Sequence, residues 1–188
     1  MIERKPSTTP ADLTYGASQT KLLPFHTEST RIVSASADAA FSHLDDHNRL
    51  AGHMSQSSWL MAGSRMTIEM DAAKGRAIGS HIHLQGRVLG IPIHVEEVVT
   101  EHEPPFRKAW ETIGVPKLLV IGSYKMGFEI TPQGASSLLR VFIDYDLPEP
   151  WLTRLLGHLL GSFYARWCTE SMAKDAAAYF SPSEPELL

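Results

Sequence analysis

The hydrophobic residues of this chain follow two different periods, and the change between them divides the sequence. From Gly63 to Asp146, apolar and polar residues alternate in runs bounded by Gly and Pro, which predicts β-strands. The runs cover residues 66–70, 77–88, 94–102, 106–113, 117–131 and 138–146. After Pro150 the apolar residues recur at helical spacing as far as Phe180. The pattern therefore predicts a sheet followed by one long C-terminal helix.

The predicted helix carries an apolar stripe, which we expect to face the sheet while Arg154 and Arg166 face away. Upstream, residues 30–35 predict a further strand, Ser36 a helix N-cap, and residues 48–54 a second short helix. A sheet of about seven strands at ~4.8 Å spacing is far wider than one helix of ~10 Å diameter. We therefore expect an α+β fold in which a curved antiparallel sheet wraps around the helix. The stripe consists of Leu152, Leu155, Leu156, Leu159, Leu160, Phe163 and Trp167.

Composition favours a single domain and removes several classes of function. The 188 residues are 43% hydrophobic and carry a formal charge of -4, with acids and bases interspersed, so nucleic-acid binding is not expected. Cys168 is the single cysteine, which excludes an internal disulfide. We see neither a signal peptide nor a membrane-spanning run and expect a soluble, cytoplasmic protein. We predict a flexible leader at 1–27, one domain at 28–180 and a tail at 181–188.

Particular segments resemble a known superfamily. Residues 31–54, RIVSASADAAFSHLDDHNRLAGHM, are similar to the opening strand and helix pair of the SRPBCC superfamily, which includes START, polyketide cyclase and birch-pollen-allergen-like proteins. Bacterial members of the superfamily also show a similar residue pattern, in the same order, to residues 79–112, 124–148 and 155–168. The resemblance covers roughly residues 28–180 and implies the helix-grip fold. It implies no catalytic residue, because no such residue is shared across the superfamily.

The resemblance further implies a deep apolar cavity between the sheet and the long helix, which superfamily members use for lipids, sterols, polyketides and hormones. Bulky, adaptable side chains on the apolar faces are the expected lining. The alternative is that the same side chains form an ordinary core. The predicted pocket residues are Trp110, Tyr124, Met126, Phe128, Ile143, Tyr145, Leu159, Phe163 and Trp167, with His53 at the rim.

Two other candidates for chemistry have simpler explanations. His81 and His83 leave the same face of a strand, but two ligands are too few for zinc, and Gln85 and Arg87 continue that face. We therefore expect a solvated outer face and no metal. Cys168 has no histidine near it in sequence to activate its thiol. It is expected to be buried and to fill space in the hydrophobic core.

The favoured function is the binding of a small, largely apolar molecule, lipid-like or aromatic, without a cofactor. One alternative is an enzyme resembling polyketide cyclases, aromatases or dehydratases, in which His53, Tyr124 or Tyr145 promotes enolisation or loss of water. Several polar groups clustered around one bound carbonyl would favour this alternative. A third class is a partner-interaction module with an exposed apolar working surface. The formation of a homodimer is a further possibility that the sequence leaves open.

Overall fold

The computed structural model describes residues 22–50, 65–88 and 90–181. In chain order the elements are β1 (Phe25–Val33), α1 (Ala37–Leu44), α2 (His47–Leu50), β2 (Arg65–Met70), β3 (His81–Val88), β4 (Ile91–Glu103), β5 (Arg107–Lys117), β6 (Tyr124–Gln133), β7 (Ser136–Tyr145) and α3 (Trp151–Tyr179). The predicted order of strands and helices is confirmed.

The seven strands form one sheet in the order β1-β7-β6-β5-β4-β3-β2, and every neighbouring pair is antiparallel. From β2 to β7, each strand pairs with the next along the chain, as hairpin connections allow. β1 closes the other edge by pairing with β7, where Ser29 lies opposite Val141. The predicted α+β architecture, an antiparallel sheet of seven strands with a long C-terminal helix, is therefore confirmed.

Alternation along the strands creates an inner sheet face, which packs against α1 and α3, and an outer face. On β6 the buried positions include Tyr124, Met126, Phe128 and Ile130, as their period of two predicts. On β5, Trp110 lies opposite Met126 and therefore shares the inner face. These side chains belong to a continuous hydrophobic core, whose burial drives the sheet onto the helices.

Several strand boundaries differ from the prediction. β3 begins at His81 and not at residue 77, and β6 begins at Tyr124 and not at residue 117. β1 begins at Phe25, inside the predicted leader, because its first residues pair with the end of β7. β5 continues through Pro116, although the sequence Gly114-Val115-Pro116 predicts a stop. Gly114 has a positive φ of 67°, and the register between β4 and β5 shifts between His94 and Glu96. The strand therefore passes these residues through a local irregularity instead of ending.

The short helix α1 begins at the predicted cap, where the Ser36 hydroxyl accepts a hydrogen bond from the Ala39 N–H at 3.3 Å. Its buried face sets Phe41 against Phe128 on the inner sheet face, with ring centroids 5.5 Å apart. α2 follows over His47–Leu50. The remainder of the predicted second helix, including His53, lies outside the described residues.

The long helix α3 packs mainly on β1 and β7. A buried hydrogen bond of 3.1 Å joins the Thr169 hydroxyl to that of Ser29 on β1. The helix begins one residue after Pro150 and ends one residue before Phe180, close to the predicted limits. Among the described residues, no helix is both long and apolar enough to span a membrane.

Candidate functional site

The inner sheet face brings together most of the predicted pocket residues. Six of them are buried in the hydrophobic core, and Trp167 is partly buried against it. Tyr145 also stacks on Phe25 of β1, with ring centroids 5.3 Å apart. The buried six are Trp110, Tyr124, Met126, Phe128, Ile143 and Tyr145.

The predicted rotation of α3 is wrong. Leu159 is 69% exposed and Phe163 is 52% exposed, so neither lies against the sheet. The buried face instead begins with Gly157, Gly161 and Ala165. A Cβ at Gly157 would lie 2.8 Å from the Val120 carbonyl oxygen, which shows that only glycine permits this approach. The first half of the helix, as far as Phe163, therefore rests on its small residues and turns its large apolar residues outward.

A carboxylate lies on the apolar inner face. Glu97 alternates along β4 with the buried residues Val95 and Val99 and is only 3% exposed. One of its oxygens, Oε1, accepts a hydrogen bond from the Tyr124 hydroxyl, and the side chain of Trp110 also hydrogen-bonds to the carboxyl group. Burial raises the pKa of Glu97 to about 7, against the opposing effect of these hydrogen bonds. Glu97 therefore exchanges its proton near neutral pH.

A buried cation lies beside this carboxylate. Lys108 is fully buried on β5, and its Nζ donates to Asp45 Oδ1 at 2.7 Å and to the Asp45 carbonyl oxygen at 3.2 Å. Burial lowers the pKa of Lys108, while Asp45 opposes that change. His102 also contacts Asp45, at 3.1 Å from Nε2 to Oδ1. Asp45 thus anchors the polar part of the site to the end of α1.

His47 of α2 lies between the lysine and the carboxylate. Its Nδ1 is 3.4 Å from Lys108 Nζ, and its Nε2 is 3.9 Å from Glu97 Oε2. Burial first, and then the charge of Lys108, lowers the pKa of His47 to about 3, so the ring is neutral. An ammonium group only donates hydrogen bonds, and we therefore assign the imidazole proton to Nε2. Gly75, with a φ of 73°, leaves room for the ring.

This nitrogen has no hydrogen-bond partner in the part of the chain that the structure describes. A buried donor without a partner is uncommon and calls for an explanation such as a bound ligand or water. An oxygen atom placed between His47 and Glu97 would accept from Nε2–H. The same atom would also meet the carboxyl group, as acceptor when Glu97 is protonated and as donor when it is ionised.

The predicted pocket does not include Glu97, Lys108 or His47. Two of them carry a readable signal, because Glu97 lies midway between Val95 and Val99, and Lys108 is two residues before Trp110. A charged residue in an apolar register of this kind marks a buried polar site. His47 carries no comparable signal, since only the packing of α2 places it against β4 and β5.

Outside this site, Cys168 is buried as expected, and burial raises the pKa of its thiol to about 12. The outer face of the sheet holds His81 and His83, again as expected. Glu96 joins them there, with His81 Nδ1 3.1 Å from Glu96 Oε1.

The fold and the site define a class of protein. An antiparallel sheet packed on a long C-terminal helix, with short helices after the first strand, is the helix-grip architecture. Residues 24–178 match the model of a family described as polyketide cyclase / dehydrase and lipid transport. The chain belongs to this family and, through it, to the SRPBCC superfamily.

Solved structures share the fold at low sequence identity. The Zhui aromatase/cyclase from Streptomyces sp. R1128 is 14% identical, with a TM-score of 0.61 over 82% of this chain and 92% of its own. Truncated norcoclaurine synthase from Thalictrum flavum is 18% identical, with a TM-score of 0.56 over 85% and 95%. A protein from Thermus thermophilus is 14% identical, with a TM-score of 0.57 over 83% and 99%. A comparison with curated proteins finds no significant match.

Proposed function

We propose that this protein binds a small, largely apolar molecule that carries an oxygen-bearing group, held against the inner sheet face. The observation that carries the proposal is the unpartnered His47 Nε2, set 3.9 Å from Glu97 within an apolar core. The apolar part of the ligand contacts the aromatic and aliphatic side chains around this pair. The proposed lining is Trp110, Tyr124, Met126, Phe128, Ile143, Tyr145 and Trp167; the exposed Leu159 and Phe163 do not belong to it.

A hydroxyl or carbonyl group fits this polar pair better than a charged group. His47 offers one hydrogen-bond donor and Glu97 one carboxyl group. A negatively charged ligand group would be repelled by ionised Glu97, and a positively charged one would be repelled by Lys108. Placing one polar atom in an otherwise apolar surface orients a ligand at little cost in binding energy. The ligand class is therefore a lipid-like or polyketide-like molecule with at least one oxygen function.

A cyclase-type or dehydratase-type reaction is the second candidate, and the pKa of Glu97 favours it. At a pKa of about 7 the carboxylate is able to take a proton from a carbon next to a ligand carbonyl. The electron pair then moves to the carbonyl oxygen, which His47 Nε2–H stabilises as it becomes negative. Protonated Glu97 returns its proton to a departing hydroxyl group, which leaves as water. The Tyr124 hydroxyl, which donates a hydrogen bond to Glu97 Oε1, positions the carboxyl group.

The test is native mass spectrometry of the purified full chain, followed by extraction and identification of any bound molecule. We compare the wild type with Glu97→Gln and with Glu103→Gln, a control at the exposed end of the same strand. Under the binding proposal, Glu103→Gln retains the same compound as the wild type, and Glu97→Gln retains less of it. If the protein catalyses the reaction, the compound recovered from the wild type after incubation is chemically altered. The compound recovered from Glu97→Gln is unaltered. If no variant holds an apolar molecule, the proposal is wrong.

A further inference from the structure

The outer face of β3 and β4 carries metal-ligating side chains that the proposed ligand site does not use. His81 and His83 of β3 and Glu96 of β4 each present a ligand atom, and these three atoms lie within 4.8 Å of one another. We call these three residues the outer cluster. Glu96 and Glu97 point to opposite sides of β4, because consecutive residues of a strand alternate between its faces. The sheet itself therefore separates the outer cluster from the inner face.

The register of the sheet assembles the outer cluster. His81 and His83 are two residues apart, so their side chains leave the same face of β3. Strand pairing sets His83 directly opposite Glu96. The two imidazole rings are inclined by only 26° to each other, with their centroids 6.3 Å apart. The sequence shows only the two histidines, and the pairing of β3 with β4 supplies the third group.

The turn from β2 fixes the backbone at the start of β3. Asp71 Oδ2 accepts a hydrogen bond from the His81 N–H at 3.0 Å, and the Asp71 N–H donates to the His81 carbonyl oxygen at 3.2 Å. The Ser80 hydroxyl donates to Asp71 Oδ1 at 2.6 Å and accepts from the Gly75 N–H at 2.8 Å. Because β3 is also paired on both sides, its histidines stand on a rigid element, as a preorganised site requires.

The distances within the outer cluster suit a small ion at its centre. Ligand atoms that lie about 2.1 Å from a tetrahedrally bound ion are roughly 3.4 Å from one another. His81 Nδ1 and Glu96 Oε1 are 3.1 Å apart, which is close to that separation. The wider separations close to it through small changes in side-chain torsion, which partly exposed side chains are free to make. A bound ion takes the place of the proton that His81 and Glu96 share.

The local charge also favours a cation. His83 stands between two carboxylates on the neighbouring strands, opposite Glu69 on β2 and opposite Glu96 on β4. The arginines of β2 and β3, Arg65 and Arg87, pair with each other at the other end of these strands. Two neutral imidazoles and one carboxylate cancel only one of the two charges of a divalent cation. Glu69, exposed one strand away, offsets part of the remaining charge.

We propose that the outer cluster binds a divalent late-transition-metal ion, for which Zn²⁺ is the test case. Two imidazole nitrogens and one carboxylate oxygen are a ligand set that zinc proteins use. Nitrogen ligands favour such ions over Ca²⁺ and Mg²⁺, which take oxygen ligands. The side chains of His81 and Glu96 are 45% and 36% exposed, so water has access to the remaining coordination positions.

The bound ion joins two neighbouring strands. Two of its ligands lie on β3 and the third lies on β4, next to β2 at the edge of the sheet. The three ligands meet only when these strands pair, so the ion binds the folded chain in preference to the unfolded chain. This inference does not depend on which ligand the inner face holds.

The test is isothermal titration of the untagged, chelator-treated full chain with ZnCl₂ at about pH 7.5, because protons compete with metals for imidazole nitrogens. We expect saturation at one ion per chain. His83→Ala should weaken binding about tenfold or more, and it leaves the hydrogen bond between His81 and Glu96 in place. His83 is partly exposed, and circular dichroism verifies that the variant folds.

His94→Ala is the matched control. His94 is an exposed histidine on the outer face of β4, two residues before Glu96, but it offers no ligand atom to the outer cluster. This variant should bind Zn²⁺ as the wild type does. Failure of the wild type to saturate would overturn the proposal, and so would equal losses in His83→Ala and His94→Ala. Displacement of Zn²⁺ by about 1 mM Mg²⁺ would also overturn it, because the imidazole nitrogens would then not determine which ion binds.

A second measurement distinguishes the outer cluster from binding at scattered histidines. Added ZnCl₂ should raise the urea midpoint of the wild type and of His94→Ala, and it should leave the midpoint of His83→Ala unchanged. A wild-type midpoint that ZnCl₂ does not raise would contradict the proposed link between β3 and β4. Neither measurement involves an apolar ligand, so failure of this proposal and failure of the inner-face proposal are distinguishable.

Discussion

Replacing Glu97 by Gln should remove a pH-dependent cost that the wild-type fold carries. Glu97 has a pKa of about 7 in the folded protein, against an ordinary value of 4.5. Between these two values the folded state holds a proton that the unfolded state has released. The free energy of unfolding therefore falls as pH rises from 4.5 through 7, and above that range the full cost of the ionised carboxylate remains but no longer changes with pH. Gln does not ionise, so the variant lacks this decrease.

The magnitude follows from the shift. Raising the pKa from 4.5 to about 7 corresponds to about 3 kcal/mol, most of which develops between about pH 5 and pH 8. Relative to Glu97→Gln, the wild type should lose this amount of stability over that interval. The physical cause is the burial of the ionised carboxylate in the apolar core, which the hydrogen bonds from Tyr124 and Trp110 only partly offset.

His47 makes the comparison with a variant necessary. Its pKa of about 3 lies below the ordinary value of 6.5, so the stability it contributes is present above 6.5 and lost as pH falls toward 3. Between pH 4.5 and 6.5, His47 makes the free energy of unfolding rise with pH, whereas Glu97 makes it fall. The two contributions therefore mask each other in the pH profile of the wild type alone. Both proteins retain His47, so their difference isolates the effect of the Glu97 carboxyl group, including the effect of its charge on His47 at 3.9 Å.

The assay is urea denaturation of wild type, Glu97→Gln and the exposed control Glu103→Gln at several pH values between about 5 and 8. The difference between wild type and control should vary by less than about 0.5 kcal/mol over this range. A difference between wild type and Glu97→Gln that is the same at both ends of the range would show that Glu97 titrates at its ordinary pKa. The acid-base role proposed for it would then be unsupported.

Three further predictions concern stability and are measured by urea or thermal denaturation. Phe128→Ala should cost about 3–5 kcal/mol, because Phe128 is fully buried, whereas Phe163→Ala at its exposed site should cost under about 1 kcal/mol; equal costs would contradict the rotation of α3. Gly157→Val should cost about 2 kcal/mol or more, because its Cβ would meet a backbone carbonyl oxygen at 2.8 Å; an unchanged stability would contradict that close packing. Asp45→Ala should cost about 3–5 kcal/mol by leaving Lys108 buried without its anion, and a second change, Lys108→Met, should recover most of it. Failure of the double variant to recover would show that Asp45 acts through other contacts.

The arrangement of strands could be predicted from sequence because it depends on local alternation. Val141 and Phe128 occupy apolar positions of period two, and both are fully buried on the inner face. Pro150 and Phe180 bracket the long helix as local signals predict. The outward placement of His81 and His83 follows from the same alternation.

The polar site could be predicted only in part. The alternation predicts Tyr124 and Trp110 on the inner face, where both hydrogen-bond to Glu97. The remaining partners of the site come from separate parts of the chain, with Lys108 on β5 and His47 on α2. Contacts between residues so far apart in sequence depend on how the elements pack, and hydrophobic periodicity carries no information about that.

Taken alone, the sequence determined which residues form strands, which form the long helix, and which strand faces are apolar, because these properties depend on neighbours within a few positions. Only the tertiary structure decided which side of α3 meets the sheet. The larger apolar stripe was the expected contact, yet Gly157 and Gly161 allow the backbone to approach the Val120 carbonyl oxygen more closely than any leucine would. Close packing of small residues placed Leu159 at the surface, where it is free to contact another partner.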